Sequence, residues 1–143
     1  MRVLGIDPGA RRIGLALSDP EGRFALPLEA VQARGVEQTV QRLAAEAVRL
    51  SAERLVVGLP LRMDGSEGES ARLARKLGER LHAATGLPVV LWDERLTTRA
   101  AERALAEAGA RGARRKQAVD SVAAALLLQS YLDAEHERDG RDA

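Results

Sequence analysis

The chain has 143 residues, 45% of them hydrophobic and 30% charged, and a net charge of +1. That length predicts one domain able to bury about 70% of its unfolded surface in a core. Cysteine is absent, which excludes a disulfide framework and a thiolate zinc site, and three aromatics (Phe24, Trp92, Tyr131) are too few for a base-stacking platform.

A net charge near zero does not by itself advertise a nucleic-acid partner. The cations are nonetheless almost all arginine, with Lys76 and Lys116 the only lysines, and the guanidinium fork suits bidentate phosphate contacts. Met1-Arg2 leads into too short an apolar stretch for a secretory signal, and the run Val122 to Leu128 is far short of the ~20 residues that span a bilayer. The expectation is a cytoplasmic protein with no membrane partner.

In chain order, Arg2 to Asp7 reads as a strand, with Val3, Gly5 and Asp7 on one face and Leu4 and Ile6 on the other. Asp7-Pro8-Gly9 is a turn signal. Arg11 to Ser18 is a second strand, Asp19 to Gly22 a second turn, and Arg23 to Val31 a third strand, together an antiparallel meander. Val36 to Leu50 has helical spacing, and Arg54 to Gly58 is a short buried strand. A Gly-, Pro- and Ser-rich loop follows, in which Ser66 and Glu69 have capping-box spacing for a helix to about Thr85. Leu87 to Trp92 is a strand. Thr97 or Thr98 can cap a helix to Gly109, followed by a basic loop and a helix from Lys116 to Ala134 with Val119, Ala123, Leu126, Leu127 and Tyr131 as its apolar face. Residues 135–143 read as a frayed, disordered polar tail outside a single domain of 1–134. A meander feeding βαβ units predicts an α/β fold with a mixed five-stranded sheet flanked by helices.

Acids stand at the edges of three apolar elements. Asp7 ends the first strand, Asp93 and Glu94 follow VVLW, and Asp120 lies early in QAVDSVAAALLLQSYL. Taken singly, each has a plain structural reading: a turn residue for Asp7, and acids favoured near helix N-termini for Glu94 and Asp120. Taken together they suit one site. The carboxyl ends of neighbouring strands lie side by side, so Asp7 meets an acid after VVLW if strands one and five are adjacent, and a helix across the sheet brings Asp120 to them. Carboxylates without histidine or cysteine make a hard-cation site for Mg²⁺ or Mn²⁺, and one or two such ions hydrolyse phosphodiesters. Periodicity does not choose between Asp93 and Glu94, since adjacent strand residues point to opposite faces.

GIDPGARRIGLALSD, VVGLPLRMDGSEG, DERLTT and KQAVDSVAAALLLQSYLD, in this order and spacing, resemble the YqgF/RuvX-type proteins of the ribonuclease H-like superfamily, which also holds the RuvC-type junction resolvases. The resemblance runs from Arg2 to Asp133. It implies a ribonuclease H-like fold and a catalytic, metal-binding triad of Asp7, Glu94 and Asp120, choosing Glu94 over Asp93. It also implies a metal-dependent nuclease that processes the 5′ end of pre-16S ribosomal RNA, or alternatively a Holliday junction resolvase acting on branched DNA. Resolution needs paired nicks and therefore a dimer. Without cysteine any homodimer is noncovalent and weak, and no dimer stripe is evident, so RNA ranks first and DNA second as partner.

Further motifs fit a phosphate-rich partner. Arg62 and Ser66 lie in the loop before a helix N-terminus; Arg11 and Arg12 lie in the first hairpin; Arg111, Arg114, Arg115 and Lys116 precede Asp120. The first also reads as a plain strand-to-helix connection closed by the Ser66 cap, the second as a solvated turn and the third as a solvated loop. His82 and His136 stand alone and are not expected as ligands. A non-catalytic nucleic-acid or ribosome-associated factor is disfavoured by the presence of all three acids. A kinase of the sugar kinase and actin-like type is disfavoured by length, because it needs two lobes.

Overall fold

The computed structural model describes residues 1–97 and 112–142, the side chains of 112–120 and 140–142 excepted. Its elements are β1 (Val3–Asp7), β2 (Arg12–Ser18), β3 (Ala25–Gln32), α1 (Val36–Arg49), β4 (Arg54–Leu59), α2 (Glu69–Thr85), β5 (Val89–Asp93), a 3-10 turn (Glu94–Leu96) and α3 (Gly112–Asp142). The five strands form one sheet in the order β3-β2-β1-β4-β5. The first three are antiparallel, as the meander predicts, and β4 and β5 join β1 in parallel. Pro27, which lacks an N–H for a ladder, sits in β3 at the sheet edge, where it is tolerated.

The strands alternate faces, and the two faces hold separate cores. Leu4, Ile6, Ile13, Leu15, Leu55 and Val57 pack with the apolar stripes of α1 and α2. On α1 that stripe is Val40, Leu43 and Ala47, at helical spacing. Gly86, at φ 72°, closes α2 in the left-handed conformation that glycine tolerates. On the other face, Val3, Ala16 and Val56 meet Ala124, Leu128, Tyr131 and Leu132 of α3. That face is floored with small residues. A Cβ on Gly5 would lie 2.9 Å from the Cβ of Leu128, so α3 crosses β1 at a distance only glycine permits.

Several expectations are corrected. The condition that strands one and five be adjacent is not met; β4 lies between them, because α1 carries the chain from β3 past β2 and β1 to β4, and α2 carries it on to β5. Ser66 does not cap α2. Its hydroxyl and amide both bond the Asp64 carboxylate, at 2.6 and 2.9 Å, and the helix starts after Gly68 without a side-chain cap. The final helix begins at Gly112, so Arg114, Arg115 and Lys116 lie on helical backbone rather than in a loop; arginine, alanine and lysine are strong helix formers. Its buried stripe is Ser121, Ala124, Leu127, Leu128, Tyr131 and Leu132, while Ala123 and Leu126 are only half-buried. The stretch Val122 to Leu128 is apolar on every side, so periodicity did not fix the phase of the helix; the hydrogen bond from the Ser121 hydroxyl to the Leu28 carbonyl does. The helix also continues through 135–142, where His136 bonds the Gly22 carbonyl at 2.9 Å and Glu135 pairs with Arg138 at 3.2 Å. The helix expected to end at Gly109, and Arg111, lie outside the described residues. Among the described residues, no helix is long and apolar enough to cross a membrane.

Candidate active site

Asp7 ends β1 and is half-buried. Its parity with Val3 and Gly5 places it on the α3 face of the sheet. Across the antiparallel ladder its partner is Gly14. On the parallel side, Ile6 pairs with Val57, so the next position beside Asp7 is Gly58. The acid therefore stands between two residues that have no side chains. Gly9 tightens the turn that follows: a Cβ there would collide with the Arg12 carbonyl oxygen.

Glu94 reaches the same place from two strands away. β5 pairs with β4 through Gly58↔Trp92 and Leu59↔Asp93, and the chain then turns into the 3-10 segment that Glu94 opens. The Glu94 carboxylate lies across β4, with Oε1 2.6 Å from where a Cβ on Gly58 would be. A side chain at position 58 would fill that space. Adjacency of strands one and five is thus unnecessary, because Glu94 extends over the bare backbone of β4 toward Asp7.

The structure also separates Asp93 from Glu94. The Asp93 carboxylate accepts the Arg95 backbone N–H at 2.9 Å and caps the 3-10 turn. It also receives the Arg95 guanidinium, with Nη2 at 2.8 Å. The Arg95 side chain holds the Asp93 carboxyl below the usual carboxylate range. Asp93 is committed to this ion pair, whereas Glu94 lies over Gly58.

α3 runs antiparallel to β1. Leu128 stands over Gly5, the Tyr131 hydroxyl accepts from Arg54 Nη1 at 2.6 Å at the start of β4, and His136 reaches Gly22. Followed backwards from Leu128, the helix heads toward the end of β1 that carries Asp7. Asp120 lies eight residues earlier, about 12 Å along the axis at 1.5 Å per residue, and Asp7 is two strand residues, about 7 Å, beyond Gly5. Asp120 precedes Ala124 by four residues and Leu127 by seven, and both of those are buried against the sheet. Its backbone therefore belongs to the helix line that meets Gly58 through Leu127. Among the described residues no trio of metal-ligating side chains occurs; the Asp120 side chain lies outside them.

Of the basic residues expected at a phosphate surface, Arg11 and Arg12 follow the Asp7 turn, at the same end of the sheet as Arg62 and Ser66. Arg62 lays its guanidinium against Gly68, within 3.0–3.3 Å of where a Cβ would be. The side chains of Arg114, Arg115 and Lys116 lie outside the described residues. His82 and His136 are occupied by backbone carbonyls. A groove of about 420 Å³ between α1, α2 and the turn after Asp7 opens on the α1/α2 side, away from Glu94. The reading of the sequence passed over Gly58 and Arg95. Their signals were a glycine closing a buried strand and an Asp-x-Arg spacing beside the acid.

Residues 1–134 match the model of the family described as RuvX: Holliday junction resolvase. A protein of Symbiobacterium thermophilum named "Putative pre-16S rRNA nuclease" is 48% identical over 134 residues, covering 94% of this chain and 93% of that one. One of the same name from Anaeromyxobacter sp. is 49% identical over 136 residues, covering 95% and 99%. Among solved structures, T. thermophilus RuvC in complex with Holliday junction substrate aligns with a TM-score of 0.62 at 21% identity, covering 98% and 96%. The Fowlpox virus resolvase with its Holliday junction DNA aligns at 0.57 and 10% identity, covering 94% and 99%. At these identities the two structures establish the fold alone, and that fold is ribonuclease H-like.

Proposed function

The chain belongs to the RuvX family, and from that premise we propose that it is a divalent-metal-dependent nuclease acting first on RNA, at the 5′ end of pre-16S ribosomal RNA. The observation that carries the proposal is the Glu94 carboxylate lying over Gly58, beside the strand that ends in Asp7. Nothing in a packed sheet requires an acid there, and two glycines flank Asp7 at the cost of packing. Asp7, Glu94 and Asp120 form the catalytic set and hold Mg²⁺ or Mn²⁺. The donor set fits such ions: the carboxylates supply hard oxygen ligands, and both described histidines are engaged elsewhere. When bound, the metal supplies a water of lowered pKa and stabilises charge on the phosphate.

The chain's own residues do the rest. β1 and the 3-10 turn fix two carboxylates on one face, and the Asp93–Arg95 pair stiffens the turn that aims Glu94. Arg11, Arg12, Arg62 and Ser66 stand at the carboxyl end of the sheet and Arg114, Arg115 and Lys116 on the first turns of α3; we assign all seven to phosphate contacts that position the strand without reading its sequence. The work is that of a cytoplasmic protein. Junction resolution is the second reading, favoured by the family's description; it requires two copies working together, here as a noncovalent homodimer.

Cleavage of a panel by the purified protein tests the proposal. The panel comprises single-stranded RNA, a pre-16S 5′-end RNA, duplex DNA and a four-way DNA junction, each with Mg²⁺, Mn²⁺ or excess chelator. Metal-dependent cutting of the RNAs supports the first reading, and paired nicks in the junction alone support the second. Cutting of no member contradicts both and leaves a non-catalytic factor.

A further inference from the structure

The segment Leu61–Glu67 is a small hairpin at the carboxyl end of β4, and it is tightly built. Leu61 bridges Glu67. The Arg62 N–H donates to the Ser66 carbonyl at 3.0 Å and the Gly65 N–H to the Arg62 carbonyl at 2.8 Å. Asp64 accepts from the Ser66 amide and hydroxyl, and Gly65 takes φ 87° to close the tip. Arg95, while paired with Asp93, donates from Nη1 to the Met63 carbonyl at 3.4 Å. The backbone under Met63 is therefore pinned within the hairpin and tied to the residue next to Glu94.

On this mounting the Met63 side chain is 89% exposed, more than any other large apolar side chain among the described residues. A single exposed apolar residue needs no explanation on its own. Here the tip is rigid, is tied through Arg95 to the turn that Glu94 opens, and belongs to a chain almost without aromatics. Trp92 is packed edge-on against Tyr131, with ring centroids 5.4 Å apart, and Phe24 lies at the other end of the sheet, beside Asp19. Leu96, in the same 3-10 turn as Arg95, is 52% exposed.

Proteins that deform nucleic acid insert apolar side chains, methionine among them, between base steps. An unbranched, polarisable thioether adapts to any base face it meets. We infer that Met63 is a base-contacting residue that enters the step next to the scissile phosphate and unstacks it, and that Arg95 is a positioning residue holding this wedge at a fixed offset from Glu94. The inference rests on the nuclease reading above.

The test uses the full chain and a short single-stranded RNA carrying 2-aminopurine beside the cut linkage, mapped first on the unlabelled strand. Wild-type protein raises the 2-aminopurine emission on binding. Met63→Ala abolishes that rise and weakens binding about tenfold, the scale of a stacking contact. The slope of affinity against salt stays unchanged, because no phosphate contact is lost. Met63→Leu restores both signals, and Arg95→Ala lowers kcat more than it raises KM. At 89% exposure the Met63 variants fold as wild type, which circular dichroism verifies. Wild-type affinity and emission in Met63→Ala overturn the inference and leave the nuclease reading standing. Weakened binding with the emission rise retained also overturns it, since the contact is then not to the base step. Absence of binding and cleavage by the wild-type protein overturns both.

Discussion

Glu94 lies over Gly58 so closely that a Cβ on the glycine would stand 2.6 Å from Oε1 and 3.0 Å from Cδ2 of Leu127. One methyl group at this position must displace the Glu94 carboxylate and crowd the Leu127 side chain. Gly58→Ala is therefore expected to cost about 1–3 kcal/mol of stability, as overpacking does. It is also expected to lower the single-turnover cleavage rate about a hundredfold, as a misplacement near 1 Å does. Melting curves and rapid-quench rates read the two effects separately. A wild-type rate in Gly58→Ala shows that the position of Glu94 is immaterial.

Gly5 plays the matching part under α3. A Cβ there would lie 2.9 Å from the Cβ of Leu128, an atom fixed to the helix backbone that no rotamer change can move. Gly5→Ala is expected to lift α3 from β1, lowering the urea midpoint by the equivalent of about 1–3 kcal/mol. Activity falls with it, because Asp120 rides on the same helix. An unchanged midpoint would mean that the helix yields without cost.

These two glycines mark the limit of what the sequence discloses. The meander, the parallel strands and α1 follow from alternation and helical spacing and stand within a few residues of their expected ends. Asp7 and Glu94 were visible as acids at strand ends. How they meet was not, since strand order is a tertiary property: strands one and five need not be adjacent, because Glu94 reaches across β4. Ser66 carried a capping spacing, yet Asp64 two residues away captures its hydroxyl and amide first. The phase of α3 was hidden because its stretch Val122 to Leu128 is apolar all round, and a buried polar residue, Ser121, sets it.

Grouped carboxylates repel in the absence of a cation, and a ligand that binds only the folded state stabilises it. Mg²⁺ is expected to raise the melting temperature of the wild-type protein, by the equivalent of about 2.7 kcal/mol at a hundred times its Kd. Asp7→Asn is expected to lose that response while melting no lower than wild type in chelator. An equal Mg²⁺ response in both proteins would place the ion elsewhere.

Asp19 supplies a pH signature remote from the site. Its carboxylate accepts the backbone N–H groups of Phe24 at 2.9 Å and Arg23 at 2.7 Å in the β2–β3 turn. These bonds, the Phe24 amide foremost, lower its pKa below 3.8. A carboxyl with a depressed folded pKa contributes stability that is fully present above the unfolded value and is lost as pH falls through the folded one. The stability advantage of wild type over Asp19→Ala is thus expected to be constant from neutral pH down to about pH 5 and to shrink below pH 4. Urea titrations at several pH values measure it, and an advantage that grows in acid contradicts the assigned hydrogen bonds.

The most direct measurement is the Mg²⁺-dependent cleavage rate of a pre-16S 5′-end RNA by wild type, Asp7→Asn, Glu94→Gln and Asp120→Asn, each verified as folded. The account predicts that wild-type cutting stops in excess chelator and that each substitution alone lowers the rate by at least about a thousandfold, since the three acids act as a unit. Cutting that survives the chelator, or a wild-type rate in any one of the three variants, would contradict it.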